Sequence, residues 1–141
     1  MNSWRATACS ASLAAGLPLD TVFARHQRLA AATRAAVRAW GLEVLCNRQG
    51  HESGVLTTVM MPEGHSADAF RAEALRHYNI SLGSGLSKVA DKVFRIGHLG
   101  DFGDLQLIGT LGGVEMGLRA AGVPHKAGGV QAAMEYLGGN A

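Results

Sequence analysis

The sequence predicts an α+β fold in which a small antiparallel sheet is covered by helices. Apolar residues recur at the three-to-four-residue spacing of helices over residues 20–40 and 67–78, and again from residue 101. Short runs rich in β-branched residues lie between these segments, at residues 55–61 and 93–96, and are typical of strands. With 141 residues, the chain has room for one domain with a single core.

Composition excludes several classes of protein. Hydrophobic residues make up 48% and charged residues 17%, which excludes disorder over most of the chain. No apolar run reaches the roughly 18 residues that a membrane span needs. The net charge of +2 does not argue for nucleic acid, and the six histidines and two cysteines lack metal-ligand spacing. We therefore expect a cytoplasmic protein that binds no nucleic acid, membrane or metal.

The first predicted helix runs from Asp20 to Trp40 and ends at Gly41. Its predicted buried stripe consists of Val22, His26, Leu29, Thr33, Val37 and Trp40. Four arginines lie off this stripe, at positions 25, 28, 34 and 38, and are interpreted as a solvated face; contact with phosphates is the alternative. Residues 1–19 are rich in alanine and serine and stay unassigned, as either a transit-like leader or a loose terminus.

The middle of the chain alternates between strands and one helix. Residues 42–46 and 55–61 are predicted strands, and Ser66 is placed to cap the helix over residues 67–78. That helix is expected to bury Phe70, Ala74 and Leu75, and residues 79–82 are predicted to form a short edge strand. The glycines that follow lack the spacing of a phosphate-binding loop, so a flexible hairpin connection is predicted there.

One charged residue, Arg95, interrupts the strand over residues 93–96, which Gly97 and Gly100 are predicted to end. Alternation places Val93, Arg95 and Gly97 on one face, with Phe94, Ile96 and His98 on the other. A guanidinium beside glycines offers a planar fork of donors to a carboxylate or a phosphate. The alternative is a structural arginine paired with Asp91, Asp101 or Asp104.

Two helices complete the predicted order. The first begins at Asp101, with Asp101 as N-cap and Asp104 at the third helical position, and extends to about residue 121. Gly109, Gly113 and Gly117 share one side of it, which predicts another backbone element packed at close range. A last helix is predicted over about residues 130–137.

Four motifs carry a resemblance to a known family. They are Ser-Leu-Gly-Ser-Gly-Leu at 81–86, Val-Phe-Arg-Ile-Gly-His-Leu-Gly-Asp at 93–101, Gly-Gly-Val-Glu-Met-Gly-Leu at 112–118 and Gly-Val-Pro-His at 122–125. Residues 21–137 resemble the C-terminal small domain of class V aminotransferases of the serine–glyoxylate or alanine–glyoxylate type, enzymes that use pyridoxal phosphate (PLP). His98 after Arg-Ile-Gly is more similar to the serine branch.

The resemblance implies that residues 20–141 form a domain that binds substrate carboxylates. Arg95 matches the arginine that grips the substrate α-carboxylate, and the expected partners are an amino acid, glyoxylate, a second copy of the chain or a separate cofactor domain. The parent enzyme would use PLP, but the Schiff-base lysine and the other cofactor-binding residues of the family have no counterpart here. Lys88, Lys92 and Lys126 do not lie in the lysine context of the family.

Two functional hypotheses remain open from the sequence. The first is the C-terminal part of an enzyme that moves an amino group from serine or alanine to glyoxylate, inactive as an isolated chain, with no catalytic residue and no bound PLP of its own. The second is a stand-alone, non-catalytic module that binds a small molecule or a protein. A truncation, a fragment gene and an altered start would each explain the missing part.

Overall fold

A computed structural model describes residues 18–46 and 50–140, together with residues 16 and 48. This part of the chain contains four α-helices and three strands. In chain order they are α1 (Leu19–Ala39), β1 (Leu56–Met60), α2 (Ala67–Tyr78), β2 (Gly83–Ser84), β3 (Val93–Gly97), α3 (Asp104–Ala120) and α4 (Gly129–Gly139). The predicted α+β class is confirmed. None of the helices described is long and apolar enough to cross a membrane. Most of the unassigned segment, residues 1–15 and 17, lies outside the described residues.

The sheet is antiparallel, with β3 in the centre between β1 and β2. One face is fully buried and contributes Val59, Phe94 and Ile96 to the core, where they pack against the helices. Alternation along β3 therefore places Arg95 on the opposite face, as predicted, with Thr58 and Gly83 as its neighbours across the strands. This second face is more open, because Thr58 and Arg95 are only half-buried.

Helix α1 packs against α3, α4 and β1. All six residues of its predicted buried stripe are buried.

The arginine row, however, is not simply a solvated face. Arg25 donates to the Gly100 carbonyl, and Arg28 forms two hydrogen bonds to Asp104 at 2.6 and 2.9 Å. Arg28 also donates to two carbonyl oxygens at the end of α4. These two arginines join α1 to α3 and α4, whereas Arg34 and Arg38 form no hydrogen bond or ion pair with the described residues.

Three local predictions differ from the structure. Residues 42–46 form only an isolated bridge, Val44 to Val59, instead of a strand. Residues 79–82 are not a strand, because Asn79 has a left-handed φ of 54° that ends α2 and redirects the chain. The edge strand is β2, immediately after them. Leu75 of α2 is 51% exposed, although Phe70 and Ala74 are buried as predicted.

Helix α3 begins later than predicted. Its N-cap is Gly103, and the side chain of Gln106 accepts the Gly103 N–H. Asp104 is the first helical residue, so its carboxylate complements the positive helix end while it pairs with Arg28. Asp101 is exposed and lies 3.8 Å from Arg25, outside the helix.

Two of the three aligned glycines of α3 allow close packing, as predicted. A Cβ atom at Gly117 would lie 3.2 Å from Ala74 Cβ in α2, and one at Gly113 would lie 1.8 Å from Ile80 Cδ1. Gly109, by contrast, faces open space. The close approach is therefore restricted to the second half of the predicted stripe.

We expect Gly113→Ala to destabilise the fold by about 1–3 kcal/mol, because Ile80 must move to admit the new methyl group. The matched control is Gly109→Ala in the same helix, where nothing lies within 4 Å of the new atom. The control should stabilise by up to about 1 kcal/mol. Urea denaturation of both variants measures the difference, and equal effects would show that the α2–α3 packing does not require Gly113.

Candidate functional site

Arg95 is the centre of the candidate site. It lies in the middle of β3, on the more open face of the sheet, and is half-buried. Its guanidinium forms no hydrogen bond or ion pair within the described part of the chain. Its Nε atom is buried and unpaired. The two terminal nitrogens also have no partner among the described residues and are not buried, so they can bind an anion that these residues do not supply.

The three aspartates that could have made Arg95 a structural residue are engaged elsewhere. Asp91 accepts from the Ser66 hydroxyl at 2.6 Å and from the Asp68 N–H at 2.8 Å, at the start of α2. The hydrogen bond from Ser66 is the main cause of the lowered pKa of Asp91. Asp101 and Asp104 pair with Arg25 and Arg28. The structural alternative for Arg95 therefore finds no support among the described residues.

The turn that follows Arg95 is fixed to the rest of the fold by two buried histidines. His98 contacts the Thr57 hydroxyl of β1 through Nε2 at 3.0 Å. His26 donates from Nδ1 to the Val22 carbonyl and accepts the Gly100 N–H at Nε2, so its two partners together place the proton on Nδ1. The sequence placed His26 in the buried stripe of α1 and His98 on the strand face of Phe94 and Ile96, but their anchoring contacts were not predicted.

His98 is held in its neutral form. Burial is the main cause that lowers its pKa to about 4, and the backbone of Gly54 opposes this change. The positive charge of Arg34 lowers it further. The His98 Nδ1 atom is buried without a hydrogen-bond partner, so the support from the Gly54 backbone is too weak to offset burial.

The lowered pKa of His98 predicts that the fold loses stability in acid. An unfolded histidine has a pKa of about 6.5, so the unfolded chain binds more protons than the folded chain between pH 6.5 and about 4. The contribution of His98 to the free energy of unfolding is fully present above pH 6.5. As the pH approaches 4, about 3 kcal/mol of it is lost. Urea denaturation at several pH values measures the slope. His98→Leu should flatten it and the half-buried control His65→Gln should not; an unchanged slope in His98→Leu would contradict the assignment.

The chain is 49% identical over 120 residues to serine–glyoxylate aminotransferase of Arabidopsis thaliana, covering 84% of this chain and 30% of the relative. It is 47% identical over 124 residues to the enzyme of the same name from Hyphomicrobium methylovorum, covering 87% of this chain and 31% of that enzyme. Both matches lie in the C-terminal part of the relatives.

The chain matches the C-terminal part of class V aminotransferases. Its fold agrees: pyridoxamine–pyruvate aminotransferase from Mesorhizobium loti superposes with a TM-score of 0.81 at 32% identity, over 86% of this chain and 32% of that one. No protein-family model matches the sequence. The chain spans about 30% of the length of the class V aminotransferases that it matches.

Homologous class V aminotransferases depend on PLP, but the residues described here do not fit a PLP site. Lys88, Lys92 and Lys126 are all exposed and lie on separate segments. None of them lines the cleft of about 900 Å³ between α1 and Leu42, Val44 and Glu52, or the cleft of about 370 Å³ beside Thr58. Among the described residues there is also no cluster of three metal-ligating side chains.

Proposed function

We propose that this chain is the substrate-carboxylate-binding domain of a PLP-dependent aminotransferase that moves an amino group from serine or alanine to glyoxylate. The relatives support this reaction class, since their names include serine–glyoxylate and L-aspartate–glyoxylate aminotransferases. The observation that carries the proposal is the unpaired guanidinium of Arg95 on the open face of the central strand.

The chemistry of the guanidinium suits this role. Two parallel N–H donors match the two oxygens of an α-carboxylate, and the planar fork fixes the direction of the bound acid. A residue on a central strand is held more rigidly than one on a loop, and the turn behind it is anchored by His26 and His98. Arg95 would thereby hold the α-carbon of the substrate in a constant position for chemistry performed elsewhere.

The cofactor-binding residues would come from another part of the enzyme, in the same polypeptide or in a separate one. PLP supplies the electron sink for amino-group transfer when it is bound there. We further propose that the enzyme works in the cytoplasm as a dimer. In this division of labour the present domain binds and orients the acid, and it has no catalytic residue of its own.

The test compares two samples: the enzyme that contains this domain together with its cofactor-binding part, and the 141-residue chain alone. With serine and glyoxylate, we expect glycine and hydroxypyruvate to form only in the first sample. The chain alone, mixed with PLP and dialysed, should keep no visible absorption band. Turnover by the chain alone, or stoichiometric PLP on one of its three lysines, would contradict the proposal that another part of the enzyme binds the cofactor. A complete enzyme that is inactive with glyoxylate and every amino acid would contradict the reaction.

A further inference from the structure

Gly83 lies directly beside Arg95, as its partner across the β2–β3 pair. A Cβ atom at position 83 would lie 3.0 Å from both Cβ and Nε of Arg95 and 3.5 Å from its Cζ. Contacts of 3.0 Å are tighter than nearly all that real Cβ atoms make. The Arg95 side chain therefore occupies space that any residue larger than glycine would claim.

The backbone of Gly83 does not explain the glycine. Its φ lies outside the left-handed region, so its conformation is open to other residues. The nearby Gly85 is different, because a Cβ atom there would lie 2.1 Å from the Val89 carbonyl oxygen and would disturb the backbone itself. At Gly83 the conflict is with the side chain of Arg95.

The position of Arg95 over Gly83 limits how its guanidinium can bind. Nε is buried, so the edge of the guanidinium that contains Nε is closed to a ligand. The two terminal nitrogens are not buried in this way and remain available. A carboxylate can therefore form its paired hydrogen bonds with Nη1 and Nη2, along the axis of the side chain.

We infer that Gly83 is a positioning residue for substrate binding: its missing side chain lets Arg95 lie against β2 and present its two terminal nitrogens to the α-carboxylate of a small amino or keto acid. This inference rests on the proposed function, since it assigns the direction from which that carboxylate is bound. A methyl group at position 83 would push the guanidinium outward and rotate its donors away from the substrate.

The test places Gly83→Ala, Arg95→Lys and the control Gly109→Ala in the PLP-loaded enzyme that contains this domain. A displacement of the donors by a fraction of an ångström to about 1 Å should lower kcat/KM for serine and glyoxylate by about ten- to a hundredfold in Gly83→Ala. The loss should come mainly through KM, and the control should match the wild type. In the 141-residue chain, the NMR resonance of the Arg95 Nε–H group should shift in Gly83→Ala and not in Gly109→Ala.

The outcomes separate this inference from the proposed function. If Arg95→Lys leaves turnover unchanged, the proposed function fails. If Arg95→Lys is impaired while Gly83→Ala has normal KM and an unshifted Nε–H resonance, the role of Gly83 is overturned. Should Gly83→Ala fail to fold, the same change is made in an Arg95→Ala background. Recovery of folding there supports competition with Arg95 for one space, and unfolding in both backgrounds shows that Gly83 serves the fold alone.

Discussion

Replacing Arg95 by lysine is expected to lower kcat/KM for serine and for glyoxylate by about 30- to 1000-fold in the enzyme that contains this domain. This range corresponds to about 2–4 kcal/mol of lost transition-state stabilisation. Lysine keeps the positive charge but presents one point of contact in place of two parallel donors, so it holds the acid less firmly and in a less defined direction.

The melting temperature should change little in Arg95→Lys, since the guanidinium forms no hydrogen bond or ion pair with the described residues that lysine would break. Arg28→Lys is the matched control. Arg28 forms paired hydrogen bonds to Asp104 and two more to carbonyl oxygens near the end of α4, so its replacement should lower stability and leave KM unchanged. Surviving turnover with a collapsed melting temperature in Arg95→Lys would instead identify Arg95 as a structural residue.

The largest expected effect on stability is that of Glu115→Ala, which should destabilise the fold by about 2–4 kcal/mol. Glu115 in α3 accepts from the Trp40 indole N–H at 2.8 Å and from the N–H groups of Gly128 and Val130 at 3.0 and 3.1 Å. The last two groups lie at the start of α4, so a carboxylate from α3 caps the N-terminus of α4. The same carboxylate accepts the indole N–H of the buried Trp40. Removing it leaves three donors without their partner.

Burial acts to raise the pKa of Glu115, but the three hydrogen bonds outweigh burial and lower it, which keeps the carboxylate ionised at neutral pH. Urea denaturation of Glu115→Ala measures the loss. Glu135→Ala is the control, because Glu135 is exposed on α4 and, among the described residues, bonds only to Gln131; it should cost less than about 0.5 kcal/mol. Equal losses in the two variants would mean that the cap at α4 contributes little.

The periodic elements were predictable because burial imposes their pattern. The helix over residues 67–78 and the strand around Arg95 match the structure, since each presents one apolar face to the core. The predicted strand at 79–82 failed because a left-handed Asn79 changes the chain direction, and one such residue leaves no trace in a hydrophobic pattern. The partners of Arg28 and Glu115 lie distant in sequence, so spacing along one helix could not reveal them.

The candidate site was only half predictable. Alternation along β3 placed Arg95 opposite Phe94 and Ile96, and this prediction depends on the strand alone. Whether Arg95 is paired depends on where Asp91 and Asp104 lie in space, and each turns out to cap or join a different helix. The contact with Gly83 depends on the register between β2 and β3, which no local pattern specifies.

The most direct test of the central claim, that Arg95 binds the substrate carboxylate, is a cycle between enzyme and substrate. Wild type and Arg95→Lys are each assayed with glyoxylate and with glyoxylamide, in which a neutral amide replaces the carboxylate. We expect the wild-type enzyme to lose about 2–4 kcal/mol of transition-state stabilisation, calculated from kcat/KM, when the amide replaces the carboxylate. The variant should lose little, because the guanidinium that binds both carboxylate oxygens is already absent. Equal losses in both enzymes would show that Arg95 and the carboxylate do not interact, and would contradict the assignment.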